Sequence, residues 1–336
     1  MKAVGFVKSL PIEQEESLFD TELPDPQPQA NDILVEIQAI SINPADAKRR
    51  SLTAVDEPHP SPMVLGYDAV GRVREAGSEA SGFSVGDKVW YAGDASRPGS
   101  YAELQCVDWR IASLAPTSVP VEAAAALPLT SLTAWEMLFD RLQVPTNERA
   151  ASVLVIGGAG GVGSITIQLA RKLTGLEVVA TASREASSQW CVKMGAHQVV
   201  DHRDLVKAVR ATGREYVDYI VQYADMAQHW DAMCELVAPQ GRIGTIVETS
   251  ENLDISALQG KSAALMWELM FTRSLFQTSD MHRQGQILAR MARLVDDGII
   301  VTTDTRVIDG LSAASLKEAH RLIETGSTIG KLVLKY

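Results

Sequence analysis

Apolar positions over residues 153–173 follow two periods. Val153, Leu154, Val155 and Ile156 run without interruption, which predicts a buried strand. After a glycine cluster, Val162, Ile165, Leu169 and Leu173 recur at three and four, which predicts a helix over 161–173. A second β-rich run occupies residues 177–182. Further strands are predicted at 198–201, 217–223 and 241–247, and helices at 185–194, 203–211 and 227–237. Strands alternating with helices predict an α/β fold with a doubly wound parallel sheet.

The first 110 residues read differently. Short strands are predicted at 2–7, 32–38, 70–74, 87–91 and 101–107, separated by glycine turns and the proline-rich stretch 23–28, as in a barrel-like β domain. Helices are predicted at 121–127 and 129–142, broken at Pro128. Near the end, helices at 286–296 and 312–324 precede a strand at 331–335.

The 336 residues leave room for two domains. A net charge of −11 argues against nucleic acid or an anionic membrane as partner, since both need a basic face. Cys106, Cys191 and Cys234 are far apart and form no disulfide framework or CxxC pair. The first residues lack the apolar core of a signal peptide, and no run reaches the ~18 apolar residues of a membrane span. A reducing cytoplasmic setting is expected.

Gly158, Gly160 and Gly163 fit G-x-G-x-x-G between a strand and a helix, which predicts a dinucleotide site. The first glycine is expected to make the tight turn, the second to let backbone approach a pyrophosphate, and the third to let helix pack on strand. Gly161 and Val162 offer backbone N–H groups at the helix start. The second strand ends at Ser183–Arg184, with Arg184 lying 21 residues beyond Gly163. An acid there would hold the ribose hydroxyl of NAD, whereas an arginine accommodates a 2′-phosphate, so NADP(H) is expected. His202 ends the third strand and reads either as a flank of the adenosine phosphate or as a surface residue.

Several blocks together resemble the medium-chain dehydrogenase/reductase superfamily, in its quinone oxidoreductase and zinc-type alcohol dehydrogenase-like branch. They are Ser41–Asp46, Leu65–Gly71, Val85–Val89, Ala126–Trp135, the glycine motif, Ala238–Arg242 and Lys261–Arg273. The resemblance implies a GroES-like β-rich catalytic domain over 1–124 and 281–336 and a Rossmann domain over 125–280. It implies a homodimer, for which the β-prone Ser274–Gln277 could pair across a sheet edge. Met266, Trp267, Met270 and Phe271 read as core or dimer surface, and Lys331 as structural.

Where zinc-dependent members carry catalytic ligands, this chain resembles them with Asn43, Tyr67 and the Leu129–Thr130 region. None supplies the thiolate, imidazole or carboxylate that zinc takes, so no zinc is expected. The resemblance then implies hydride transfer from NADPH to a quinone or an α,β-unsaturated carbonyl. Asn43 and Tyr67 are the candidates to face the substrate, Tyr67 as hydrogen-bond or proton donor. Each also has a structural reading, Tyr67 as a packed tyrosine and Asn43 as a turn residue beside Pro44. Thr130 resembles a nicotinamide contact and reads equally as a helix cap. Two alternatives stay open: a zinc-dependent alcohol dehydrogenase, and a non-catalytic NADPH-binding redox sensor.

Overall fold

The structure, a computed structural model, describes residues 1–147 and 149–336. It divides into two units, residues 1–132 with 271–336, and residues 133–270.

In the first unit, β1 (Lys2–Phe6), β2 (Phe19–Glu22) and β4 (Met63–Val64) form a small antiparallel sheet ordered β2-β1-β4. A larger sheet holds β3 (Asp32–Ile42), β5 (Asp68–Ala76), β6 (Lys88–Tyr91), β7 (Leu104–Asp108), β8 (Ala112–Leu114), β15 (Asp304–Asp309) and β16 (Lys331–Lys335). Its order is β15-β16-β3-β5-β6-β8, with β7 also pairing β3. Phe6, Ile33, Val35, Ile40, Tyr91 and Leu334 lie in its core. Two registers matter for the site. Leu332 pairs with Ile42, and Ser41 pairs with Asp68. The last strand therefore delivers Lys331 to the end of β3, beside Asn43 and Asp68.

The second unit is one parallel sheet: β9 (Arg149–Ile156), β10 (Gly175–Thr181), β11 (Gln198–Val200), β12 (Val217–Gln222), β13 (Val237–Thr245) and β14 (Ala264–Trp267). The order β11-β10-β9-β12-β13-β14 is the doubly wound Rossmann arrangement, with its switch point beside β9. The helix Gly161–Leu173 is buried without a break from Gly163 to Ala170, not along one stripe. Its polar members have partners: Ser164 Oγ donates to Gly160 O at 2.6 Å, and Thr166 Oγ1 lies 2.9 Å from Tyr223 Oη.

Several expectations change. Residues 44–52 are a helix, Pro44–Leu52, capped by Asn43 with Asp46 reaching back to the Asn43 N–H at 2.8 Å. The expected helix 129–142 runs as Pro128–Trp135 and continues as a π-type stretch, Glu136–Arg141. The expected strand 101–107 begins only at Leu104, Ala102 making an isolated bridge to Ala3. Ser274–Gln277 is no edge strand, because Thr272–Leu275 closes into a short helix with Leu275 N bonded to Phe271 O. β14 is one of the two edge strands of the parallel sheet, and its Trp267 is 53% exposed. Met270 and Phe271 are buried.

Candidate functional site

The glycine loop leaves the carboxyl end of β9. The left-handed turn falls on Gly157, at φ +83°, one residue before the expected Gly158. Gly157 N donates to Thr181 Oγ1 at 3.1 Å, which ties the turn to the end of β10. Gly158 packs inward: a Cβ there would stand 2.9 Å from Ala180 Cβ and 3.1 Å from Cys191 Sγ. At Gly163 a Cβ would stand 2.3 Å from Gly157 O, so this glycine lets helix and strand meet. Gly160 differs. A Cβ there would meet only Gly157 O, at 3.5 Å, so no packing within the fold demands glycine. Gly160 caps the helix, and Gly161 and Val162 open it, all half-buried. A helix start with free N–H groups and unoccupied space is suited to an anionic phosphate.

Ser183 and Arg184 follow the end of β10 and are exposed. Arg184 caps the helix Glu185–Met194, its backbone held by Ser187 Oγ, which accepts from Arg184 N at 3.2 Å and donates to Arg184 O at 2.8 Å. His202 follows β11, half-buried, its ring 5.8 Å from that of His229 and perpendicular to it. Burial pushes the His229 imidazole down, and the neighbouring His202 adds to this. Since β11, β10 and β9 are successive parallel neighbours, the glycine loop, Ser183–Arg184 and His202 all follow the carboxyl ends of adjacent strands.

In the first unit the structure places Asn43 in a buried network. Its Nδ2 donates to Asp68 Oδ2 at 2.9 Å, and its Oδ1 accepts from Lys331 Nζ at 2.5 Å. Both ends of the amide are thus engaged inside the protein, not aimed outward. Asp68 Oδ2 also accepts from Ser41 Oγ at 2.6 Å and Lys331 Nζ at 3.3 Å. Asp68 Oδ1 accepts from Leu129 N at 2.6 Å, so one carboxylate caps the first turn of Pro128–Trp135. Thr130 sits inside that turn, not at its cap, and its hydroxyl donates back to Leu127 O at 3.0 Å. Burial pushes the Lys331 amine down, while the charges of Asp68 and Asp46 oppose it.

Asp46 is bonded to the turn that leads into Tyr67. Its Oδ1 accepts from Gly66 N at 3.1 Å, and burial pushes its carboxyl up to about 7 against the Asn43 hydrogen bond and the Lys331 charge. Gly66 sits at φ +103°, and a Cβ there would stand 2.4 Å from Ser100 Oγ, so the turn into Tyr67 requires glycine. Tyr67 is 5% exposed, with its ring 4.6 Å from Phe271. Burial raises the phenol above its usual range; the Asp46 charge adds to this and Arg49 offsets part of it.

Ser41, Asp46 and Asp68 were not singled out from the sequence. Asp46 could have been, since Asn, Pro and Asp over positions 43–46 form a helix-start signature. Nothing local announces Asp68, which depends on β3–β5 register. Among the described residues, no group of three or more His, Cys, Asp or Glu side chains is arranged to hold a metal ion. Among them, too, no helix is long and apolar enough to cross a membrane.

Two family profiles match the chain, an alcohol dehydrogenase GroES-like domain at residues 29–117 and a zinc-binding dehydrogenase domain at 194–334. The zinc-type alcohol dehydrogenase-like protein of Staphylococcus epidermidis is 40% identical over 338 residues, which cover 99% of each chain. The chain belongs to the medium-chain dehydrogenase/reductase superfamily. Two solved structures of similar proteins share its architecture. One, from Rhizobium etli CFN 42, carries a zinc-dependent alcohol dehydrogenase name and superposes with a TM-score of 0.96 at 44% identity, covering 100% of this chain and 98% of that one. The other, the quinone oxidoreductase of Coxiella burnetii, has a TM-score of 0.83 at 27% identity and covers 100% and 99%.

Proposed function

We propose that this chain is an NADP(H)-dependent reductase that passes hydride to quinones or α,β-unsaturated carbonyls without zinc. The observation that carries the reading is the chemistry at the three places where zinc-dependent members carry ligands. Asn43 is a carboxamide engaged by Lys331 and Asp68, Tyr67 a phenol, and Thr130 a hydroxyl bonded to its own helix. The nearby carboxylates are occupied as well, Asp68 by four donor groups and Asp46 by two backbone N–H groups. These donors do not fit a tetrahedral zinc ion.

The glycine loop fits the cofactor. Gly158, Gly160, Gly161, Val162 and Gly163 would hold the pyrophosphate, and Ser183 and Arg184 the 2′-phosphate, with His202 flanking it. Thr130 would face the nicotinamide. The bound cofactor supplies hydride. The chain's own contribution is to orient the acceptor, exclude water and supply a proton donor for the oxygen on which charge develops. Tyr67 fills the donor role, because burial keeps its phenol protonated throughout the physiological range. Asn43 acts one step back, holding Asp68 and Lys331 beneath the site. A second copy of the chain would dock on the exposed β14 edge, and a reducing cytoplasm suits three free thiols.

The test is turnover of NADPH with a quinone and with a 2-alkenal, with and without chelator, beside metal analysis of the purified protein. Chelator-insensitive turnover and no bound zinc are expected. One zinc per chain, with activity lost on its removal, would replace this reading with the alcohol dehydrogenase one.

A further inference from the structure

Pro44, Ala47, Lys48 and Ser51 recur at three and four along the helix Pro44–Leu52, and this face lines a cavity of about 670 Å³. That volume suits a small organic molecule. Leu10, Pro11 and Ile12, from the segment after β1, and Ile323, near the end of the helix Ala313–Glu324, set apolar groups on its other sides. Asp46 lies on another face of the same helix, where its carboxylate holds Asn43 N and Gly66 N. The cavity and the buried network are thus served by different sides of one helix.

Arg50 sets the chemistry of this cavity. It lines the wall and is only 2% exposed. One terminal nitrogen, Nη1, donates to Leu10 O, and the other, Nη2, pairs with Glu324 Oε1 at 2.6 Å. The Nε–H is buried and has no acceptor among the described residues. A guanidinium stays charged and can only donate, and a buried donor of this kind is rarely left without an acceptor. The nearby hydroxyls point elsewhere: Ser9 Oγ donates to Ser51 O at 2.8 Å, and Ser51 Oγ to Lys48 O at 2.9 Å. Of the acids on the wall, Glu324 is engaged by Nη2, and Glu13 is exposed. Apolar walls around one buried cationic donor call for a ligand with an apolar body and an anionic head.

We propose that this cavity binds a short aliphatic carboxylate, its head accepting from Arg50 Nε and its chain lying against Leu10, Pro11, Ile12 and Ile323. None of these residues is assigned to cofactor or acceptor above, so the site is a second one and does not depend on the reductase reading.

Isothermal titration of the protein with hexanoate, 1-hexanol and hexylamine, in the presence of NADPH, tests this. Hexanoate should bind one per chain with a Kd of about 1 mM or below, as befits a ligand of this size. The alcohol and the amine share its chain but lack its charge, and should bind at least about 10-fold more weakly, the worth of one charge-assisted hydrogen bond. Arg50→Lys keeps a cation for Glu324 and removes the Nε–H; it should weaken hexanoate binding by a similar factor. Ser51→Phe fills the cavity from an exposed position, so it tests the site even if Arg50→Lys fails to fold. It should abolish hexanoate binding and leave NADPH binding unchanged. No hexanoate binding up to about 10 mM, equal binding of hexanol, or hexanoate affinity unchanged by Ser51→Phe would each overturn the inference.

Discussion

Lys331 Nζ stands 3.3 Å from Asp68 Oδ2, both side chains sealed from solvent and 263 residues apart in sequence. The contact joins the last strand to the first turn of Pro128–Trp135, because Asp68 also holds Leu129 N. Removing one partner of a buried ion pair leaves the other charge uncompensated, at a cost of about 3–5 kcal/mol. Lys331→Met should lose that much in urea unfolding. A loss below about 1 kcal/mol would show that solvent reaches Asp68.

Gly160 and Gly163 separate packing from ligand approach. A methyl on Gly163 would press on Gly157 O at 2.3 Å, so Gly163→Ala should lose about 1–3 kcal/mol of stability before any ligand is added. A methyl on Gly160 meets nothing closer than 3.5 Å, and its φ of −72° suits alanine. Gly160→Ala should therefore melt like the wild type yet bind NADPH at least about 10-fold more weakly, as expected where backbone meets pyrophosphate. Isothermal titration with NADPH and a thermal melt decide both; unchanged affinity in Gly160→Ala would place the phosphates elsewhere.

Two buried groups give stability opposite pH dependences. Burial pushes the His320 imidazole down to about 3, so the folded state excludes a proton that the unfolded chain takes up below about 6.5. Its contribution is complete above that value and is lost as pH falls towards 3. Asp46, pushed up to about 7, does the reverse: it favours folding below about 4 and loses that contribution as pH rises through 7. His320→Gln retains a polar partner for Tyr101 Oη, now 3.0 Å from His320 Nε2, and removes only the first dependence. The stability of His320→Gln relative to wild type should rise by roughly 1.4 kcal/mol per pH unit between pH 6.5 and 4. Parallel curves from unfolding at several pH values would contradict the buried neutral histidine.

The alternation of residues 153–245 was legible because each strand is an apolar run and each helix keeps its own period. The glycine spacing was legible too, although the residue with positive φ is Gly157, which the motif does not specify. The first-unit network was not legible. Ser41, Asp68, Leu129 and Lys331 meet only through strand register and one helix start, and sequence carries no register between β3, β5 and β16. Asn43 looked outward-facing because its partners were invisible. Ser274–Gln277 has strand-like residues, but hydrogen bonds at Leu275 and Phe276 close it as a helical turn.

Arg184 is exposed at the start of Glu185–Met194, and its replacement should leave the fold intact. Arg184→Ala should weaken NADPH binding by about 10- to 100-fold, the worth of a charged contact to phosphate, and leave NADH binding unchanged. Equal weakening of both cofactors would assign Arg184 to something other than the 2′-phosphate.

The most direct test of the account is kcat/KM for NADPH against NADH, measured side by side with a 2-alkenal in the presence of chelator. The account predicts turnover that persists under chelation and favours NADPH by at least about 10-fold, the least that one phosphate contact should give. Turnover that vanishes with the chelator, or that favours NADH, would contradict it.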